Sequence, residues 1–66
     1  MREIKFHTYN GLAGDEHELL VGVDQDGRRE DELFNRCFFP IWSLRRAKKK
    51  IMKRFEIMTG QEVRKA

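Results

Sequence analysis

Apolar and polar residues alternate along the first stretch of the chain. Ile4, Phe6 and Thr8 fall on one side of residues 2–9, and Glu3, Lys5, His7 and Tyr9 on the other. A period of two predicts a half-buried strand. Asn10-Gly11 closes it with turn chemistry, and Gly14-Asp15 prolongs the break. A second strand is predicted from His17 to Val23, with Leu19, Val21 and Val23 in phase toward the core. Asp24-Gln25-Asp26-Gly27 reads as a tight hairpin turn in which Gly27 takes a positive φ. Residues 28–33 then return as a strand, but Arg-Arg-Glu-Asp-Glu is poor strand material, so this element is an edge at best. A helix starting at Asp31 competes with that strand, and both readings stay open.

The densest apolar stretch follows, from Leu33 and Phe34 through Cys37, Phe38, Phe39, Ile41 and Trp42 to Leu44. Pro40 divides it. A residue before proline is pushed toward extended geometry, and proline suits the first turn of a helix, where its missing N–H costs nothing. Leu33–Phe39 is therefore expected to be a short link whose aromatics plug the core. From Pro40 to Thr59 the pattern is helical. Ile41, Leu44, Ala47, Ile51, Met52, Phe55 and Met58 fall within an arc of ~140° at 100° per residue. Lys48 intrudes on that arc, and its long stem can carry the charge out to water. Gly60 stands where a left-handed cap belongs. Gln61–Ala66 should fray, or Glu62 and Val63 extend the helix. The predicted fold is α+β: a single small domain over residues 1–66, with a small antiparallel sheet of two to three strands and a hairpin at 24–27, packed against one long C-terminal amphipathic helix. Its expected core is Ile4, Phe6, Leu19, Val21, Leu44, Ile51 and Phe55.

Length adds a constraint. A chain of 66 residues buries only about 60% of the surface that its unfolded form exposes. Disulfides, metals or a second subunit commonly support so small a core. Cys37 is the single cysteine, so no intrachain disulfide can form. His7, His17 and Cys37 lack the close spacing of zinc ligands. A homodimer is what elimination leaves. No apolar run approaches the ~18 residues of a membrane span, and the N-terminus has no signal-peptide apolar region, so a cytoplasmic protein is expected.

Charge changes the picture most. Residues 1–34, the acidic β part, carry four Lys/Arg against nine Asp/Glu, a net of −5. Residues 35–66, the basic helical part, carry ten against two, a net of +8. On the helix, Arg45, Arg46, Lys49, Lys50, Lys53 and Arg54 lie opposite the apolar arc, with no glutamate between Leu44 and Phe55 to relieve their repulsion. A solvated face, or one neutralised by the acidic hairpin, is the plain explanation. A surface that tracks phosphates is the functional one. Trp42 sits at ~160° on the same wheel. It is either a base-stacking aromatic among cations or, at the first turn beside Phe38 and Phe39, a core residue.

Other chemistry finds less footing. Asp24-Gln25-Asp26-Gly27 matches part of a calcium loop, but Gly22 and Leu33 would then occupy ligand positions, which removes that reading. Alternation puts Glu16 and Glu18 opposite His17, Ser43 has no histidine near it in sequence, and Cys37 lies in an apolar stretch that would keep it unreactive. No Gly-rich phosphate loop is present, and neither an enzyme nor a cofactor is expected. The acidic residues 15–32 keep a second class alive, an interaction protein that binds an acidic or basic surface of a host enzyme or transcription component. Nucleic acid, DNA or RNA, is the first expectation. A membrane surface is the weakest, because the helix needs its apolar face to cover the sheet.

The opening Met1-Arg2-Glu3-Ile4-Lys5-Phe6 resembles the start of YopX-type bacteriophage and prophage proteins. The resemblance ends at His7 and implies only a phage or mobile-element source. It assigns no site.

Overall fold

The structure, a computed structural model, describes residues 2–9 and 16–66. The predicted Asn10-Gly11 turn, Gly14-Asp15 and the rest of residues 10–15 lie outside them. The described residues form β1 (Arg2–Tyr9), β2 (His17–Val23), β3 (Arg29–Asn35), α1 (Pro40–Thr59) and β4 (Val63–Lys65), a four-stranded sheet in the order β3-β2-β1-β4 with one long helix on one face. The α+β class and the hairpin are as expected, and Gly27 has φ 81°. The sheet is mixed rather than wholly antiparallel. β4 pairs in parallel with β1, with Arg2 opposite Val63 and Ile4 opposite Lys65. Residues expected to fray thus form a strand, anchored by Val63, which is 8% exposed beneath the helix.

The buried Asp24 organises the hairpin. Its Oδ1 accepts hydrogen bonds from the backbone N–H of Asp26 and of Arg28, both at 2.9 Å, and its Oδ2 lies 3.3 Å from the Arg2 guanidinium. Turn donors that would otherwise be unsatisfied are met inside the turn. The same Arg2 reaches Asp26 at 2.7 Å, and that bond holds the Asp26 carboxyl below its ordinary value of 3.8. The returning segment is a strand through Asn35, not a helix from Asp31. Each residue from Arg29 to Asn35 has a partner on β2.

Pairing fixes which side chains face the helix, and here the expected phase of β2 is reversed. Phe6 lies opposite Gly22 and Thr8 opposite Leu20, so Leu20 and Gly22 share the inner face with Ile4 and Phe6. Leu19, Val21 and Val23 turn to the outer face. Val21 is still only 2% exposed, between His7 of β1 and Asp31 of β3. The reason lies at Gly22. A Cβ there would stand 2.8 Å from Ile51 Cγ2, 3.0 Å from Ile4 Cγ2 and 3.1 Å from Phe6 Cε1. Only a residue without a side chain lets α1 come this close to the middle of the sheet. The core is Ile4, Leu20, Phe34, Ala47, Ile51, Phe55 and Val63, with Phe6, Leu44 and Met52 at its margin.

Three further expectations change. Phe34 enters the core from β3, but Phe38 and Phe39, expected to plug it, are 68% and 78% exposed. Ile41 and Met58 stand outside the covered arc, at 69% and 48% exposed. Cys37 is exposed rather than enclosed in apolar surroundings. The loop turns outward because Asn35 Oδ1 captures the N–H of both Cys37 and Phe38 at 2.8 Å. Phe39, the residue before α1, is not extended. It is left-handed, with φ 49° and ψ 56°, a conformation that costs a side-chain-bearing residue about 1–2 kcal/mol. The helix ends as expected at Gly60, with φ 70° and its N–H 2.8 Å from Glu56 O.

Replacing Gly22 by alanine should destabilise the fold by about 1–3 kcal/mol, because the new methyl overlaps a packed core. The cost should shrink when Ile51 is also alanine. Chemical denaturation of both single mutants and the double mutant measures that coupling, and additive effects would place the helix seat elsewhere.

Candidate nucleic-acid interface

The helix is seated with Ala47, Ile51 and Phe55 inward. With 100° between residues, this fixes where every other side chain of α1 goes. Lys50 and Arg54 lean toward β3. The expected residues Arg45, Arg46, Lys49 and Lys53 point to solvent and are exposed. The structure thus divides the basic set into two groups.

Lys50 and Arg54 meet the acidic edge strand. Glu30 and Glu32 lie opposite Gly22 and Leu20, so they share the sheet's inner face and flank the helix. Lys50 Nζ is 3.7 Å from Glu32 Oε1, and Arg54 bonds Glu32 and lies 3.7 Å from Glu30 Oε1. The bond to Glu32 raises the Arg54 guanidinium pKa above its ordinary value. Arg54 also donates to the backbone carbonyl of Asp31 at 2.8 Å. Arg36 N–H bonds Glu16 O and Arg28 O accepts from Asp24 N–H, so the even residues of β3 bond to β2. Asp31 O therefore faces the open edge, and Arg54 covers part of that edge against pairing with another chain.

Arg45, Arg46, Lys49 and Lys53 have no carboxylate partner among the described residues. Trp42 joins them. The residue is 64% exposed, which removes the core alternative, and the Arg46 guanidinium lies 5.9 Å from the indole ring centroid. Such a contact contributes about 0.5–1 kcal/mol at an exposed site and holds the ring beside the cations. A shallow depression of about 350 Å³ is bordered by Trp42, Arg45, Arg46 and Lys49. On the far side of the helix, Lys48 carries its ammonium back over the Phe6 ring at 5.6 Å, so this intruding lysine belongs to the sheet side rather than to the stripe.

The acidic residues expected to dock on a partner are largely engaged within the chain. Asp24 and Asp26 hold Arg2, Glu18 meets Arg36 at 3.4 Å, and Glu30 and Glu32 hold the helix. Asp15 lies outside the described residues. No cluster of metal-ligating side chains occurs among the described residues, and no described helix is long and apolar enough to cross a membrane.

The sequence reading missed Phe38 and Phe39 as surface residues. The signal available was Asn35, an acceptor placed to cap the turn that follows it. No family model, curated protein or solved structure matches this chain.

Trp42 is the single tryptophan, so its fluorescence reports its surroundings without ambiguity. Native protein should emit with the red-shifted maximum of a hydrated indole and be quenched readily by acrylamide. Trp42→Ala should leave the melting temperature nearly unchanged. A blue-shifted, protected emission would put the indole in the core.

Proposed function

We propose that this chain is a small non-enzymatic protein that binds nucleic acid through the outer face of α1. The observation that carries the reading is the unequal treatment of the helix cations. β3 takes Lys50 and Arg54, whereas Arg45, Arg46, Lys49 and Lys53 stand exposed, without carboxylates among the described residues, in a stripe that begins at Trp42. Like charges at helical spacing oppose one another, so an unneutralised stripe costs stability that a polyanion would return on binding. Trp42, Arg46, Lys49 and Lys53 lie four, three and four residues apart, about one helical turn each, with Arg45 beside Arg46, and this row can follow a phosphate backbone. Such contacts give affinity with little sequence preference. The phage-like opening fits a regulator of a mobile element, which is part of the same proposal.

A second reading has its own observation. No helix among the described residues covers the outer face of the sheet, and Tyr9 and Leu33 on it are 47% and 51% exposed. That face suits an interaction protein which binds a host enzyme or transcription component, or a second copy of this chain.

The nucleic-acid reading predicts binding that weakens steeply with salt. Contacts from the stripe's four cations give a log–log slope of about −3 to −4. Lys49→Glu combined with Lys53→Glu should fold normally and weaken binding to unrelated sequences alike. Absence of salt-sensitive binding to any DNA or RNA near 50 mM salt contradicts the reading and leaves the protein-partner alternative.

A further inference from the structure

Phe39 raises a question that the fold does not answer. It occupies a left-handed conformation, φ 49° and ψ 56°, that favours glycine, yet the residue is 78% exposed. The backbone is strained and the phenyl ring lies outside the core. Glycine there would relieve the backbone without removing a core contact. Phe38 beside it is 68% exposed, although Asn35 fixes its backbone N–H at 2.8 Å. Trp42 follows one turn into the helix. Strain that over-determined surroundings maintain points to use of the group it presents.

We propose that Phe38, Phe39 and Trp42 form a stacking ledge for unpaired bases, so that the partner is single-stranded nucleic acid. The inference rests on the nucleic-acid reading above and deepens it. Bases in a duplex have their faces covered by their neighbours, whereas a single strand offers each face to an aromatic ring. The ledge stands at the head of the cation stripe. A strand that stacks on the three rings runs on with its phosphates along Arg45, Arg46, Lys49 and Lys53. The arrangement fits a chain better than a lipid plane. The helix cannot lie flat on a bilayer, because Ala47, Ile51 and Phe55 are committed to the sheet at 0–1% exposure. Standing on its aromatic end, it would leave Lys53 well above the headgroups, since Lys53 is eleven residues, about 16 Å of helix, beyond Trp42.

Fluorescence anisotropy with labelled oligothymidine and with a duplex of equal length tests the inference near 50 mM salt. The native chain should prefer the single strand. Phe39→Gly should melt at or above the native temperature while losing about 5- to 100-fold in single-strand affinity. Its duplex affinity should change less than about twofold. Phe38→Ser should behave alike without the gain in stability, and Phe39→Trp should restore binding. Single-strand binding untouched by these changes, or lost equally with duplex binding, overturns the ledge and leaves the basic stripe standing. A lower melting temperature for Phe39→Gly overturns the reading of Phe39 as a presented ring. Binding to neither nucleic acid overturns both proposals, and retention on phosphatidylserine vesicles would then assign the ledge to a lipid surface.

Discussion

The long helix rests on the sheet at one point where there is no room for a methyl group. Ile51 lies over Gly22, with Ile4 and Phe6 closing the same space. A helix that touches a sheet this closely loses the freedom to roll about its axis, since interiors are packed to near-crystalline density. Ala47 and Phe55, one turn on either side of Ile51, are carried inward with it. Phe34, Leu20 and Val63 then complete a core whose members come from β1, β2, β3, β4 and α1. In a chain this short no element contributes more than three buried side chains, so the seat at Gly22 sets the placement of all of them.

The same seat sorts the charges. Once Ile51 faces β2, Lys50 and Arg54 lean toward β3, whose inner-facing positions are Glu30 and Glu32 followed by the core residue Phe34. Carboxylates on the inner face of an edge strand would be a poor choice beneath an apolar helix face. Here they meet cations at the rim, and Arg54 also shields the Asp31 carbonyl from outside pairing. Exposed pairs of this kind contribute only about 0–1 kcal/mol each. Their larger consequence is geometric, because they draw part of the positive charge onto the sheet. The remainder lies along the outer ridge beside Trp42.

Much of this was legible in the sequence because the patterns were long. Twenty residues with Pro40 at the start and Gly60 at the end specify a helix almost unaided, and Asp24 to Gly27 specify their turn. The phase of β2 was not legible by hydrophobicity, since Leu19, Val21 and Val23 outweigh Leu20 and Gly22. What decides it is a contact with Ile51, twenty-nine residues later in the chain. Gly22 itself was the available clue, as glycine inside a strand often marks the approach of another element. β4 is too short to show a period, and it exists because β1 offers Arg2–Ile4 an unpaired side. The charged face of the helix was visible as a whole. Its division was not, because that requires knowing which carboxylates lie across from which cations. The outward aromatics escaped notice for a related reason. Apolar residues are expected inside, and only the Asn35 turn directs Phe38 and Phe39 away.

The central claim is that the seat on Gly22 leaves one ridge of the helix, from Trp42 to Lys53, free for an anionic chain. Two-dimensional NMR of the labelled protein, titrated with a short oligonucleotide, tests it most directly. The account predicts shifts concentrated at the Trp42 indole N–H and the backbone and side chains of Arg45, Arg46, Lys49 and Lys53, with Lys50 and Arg54 nearly still. Shifts concentrated instead on Tyr9, Val21 and Leu33 would contradict it and make the outer face of the sheet the working surface.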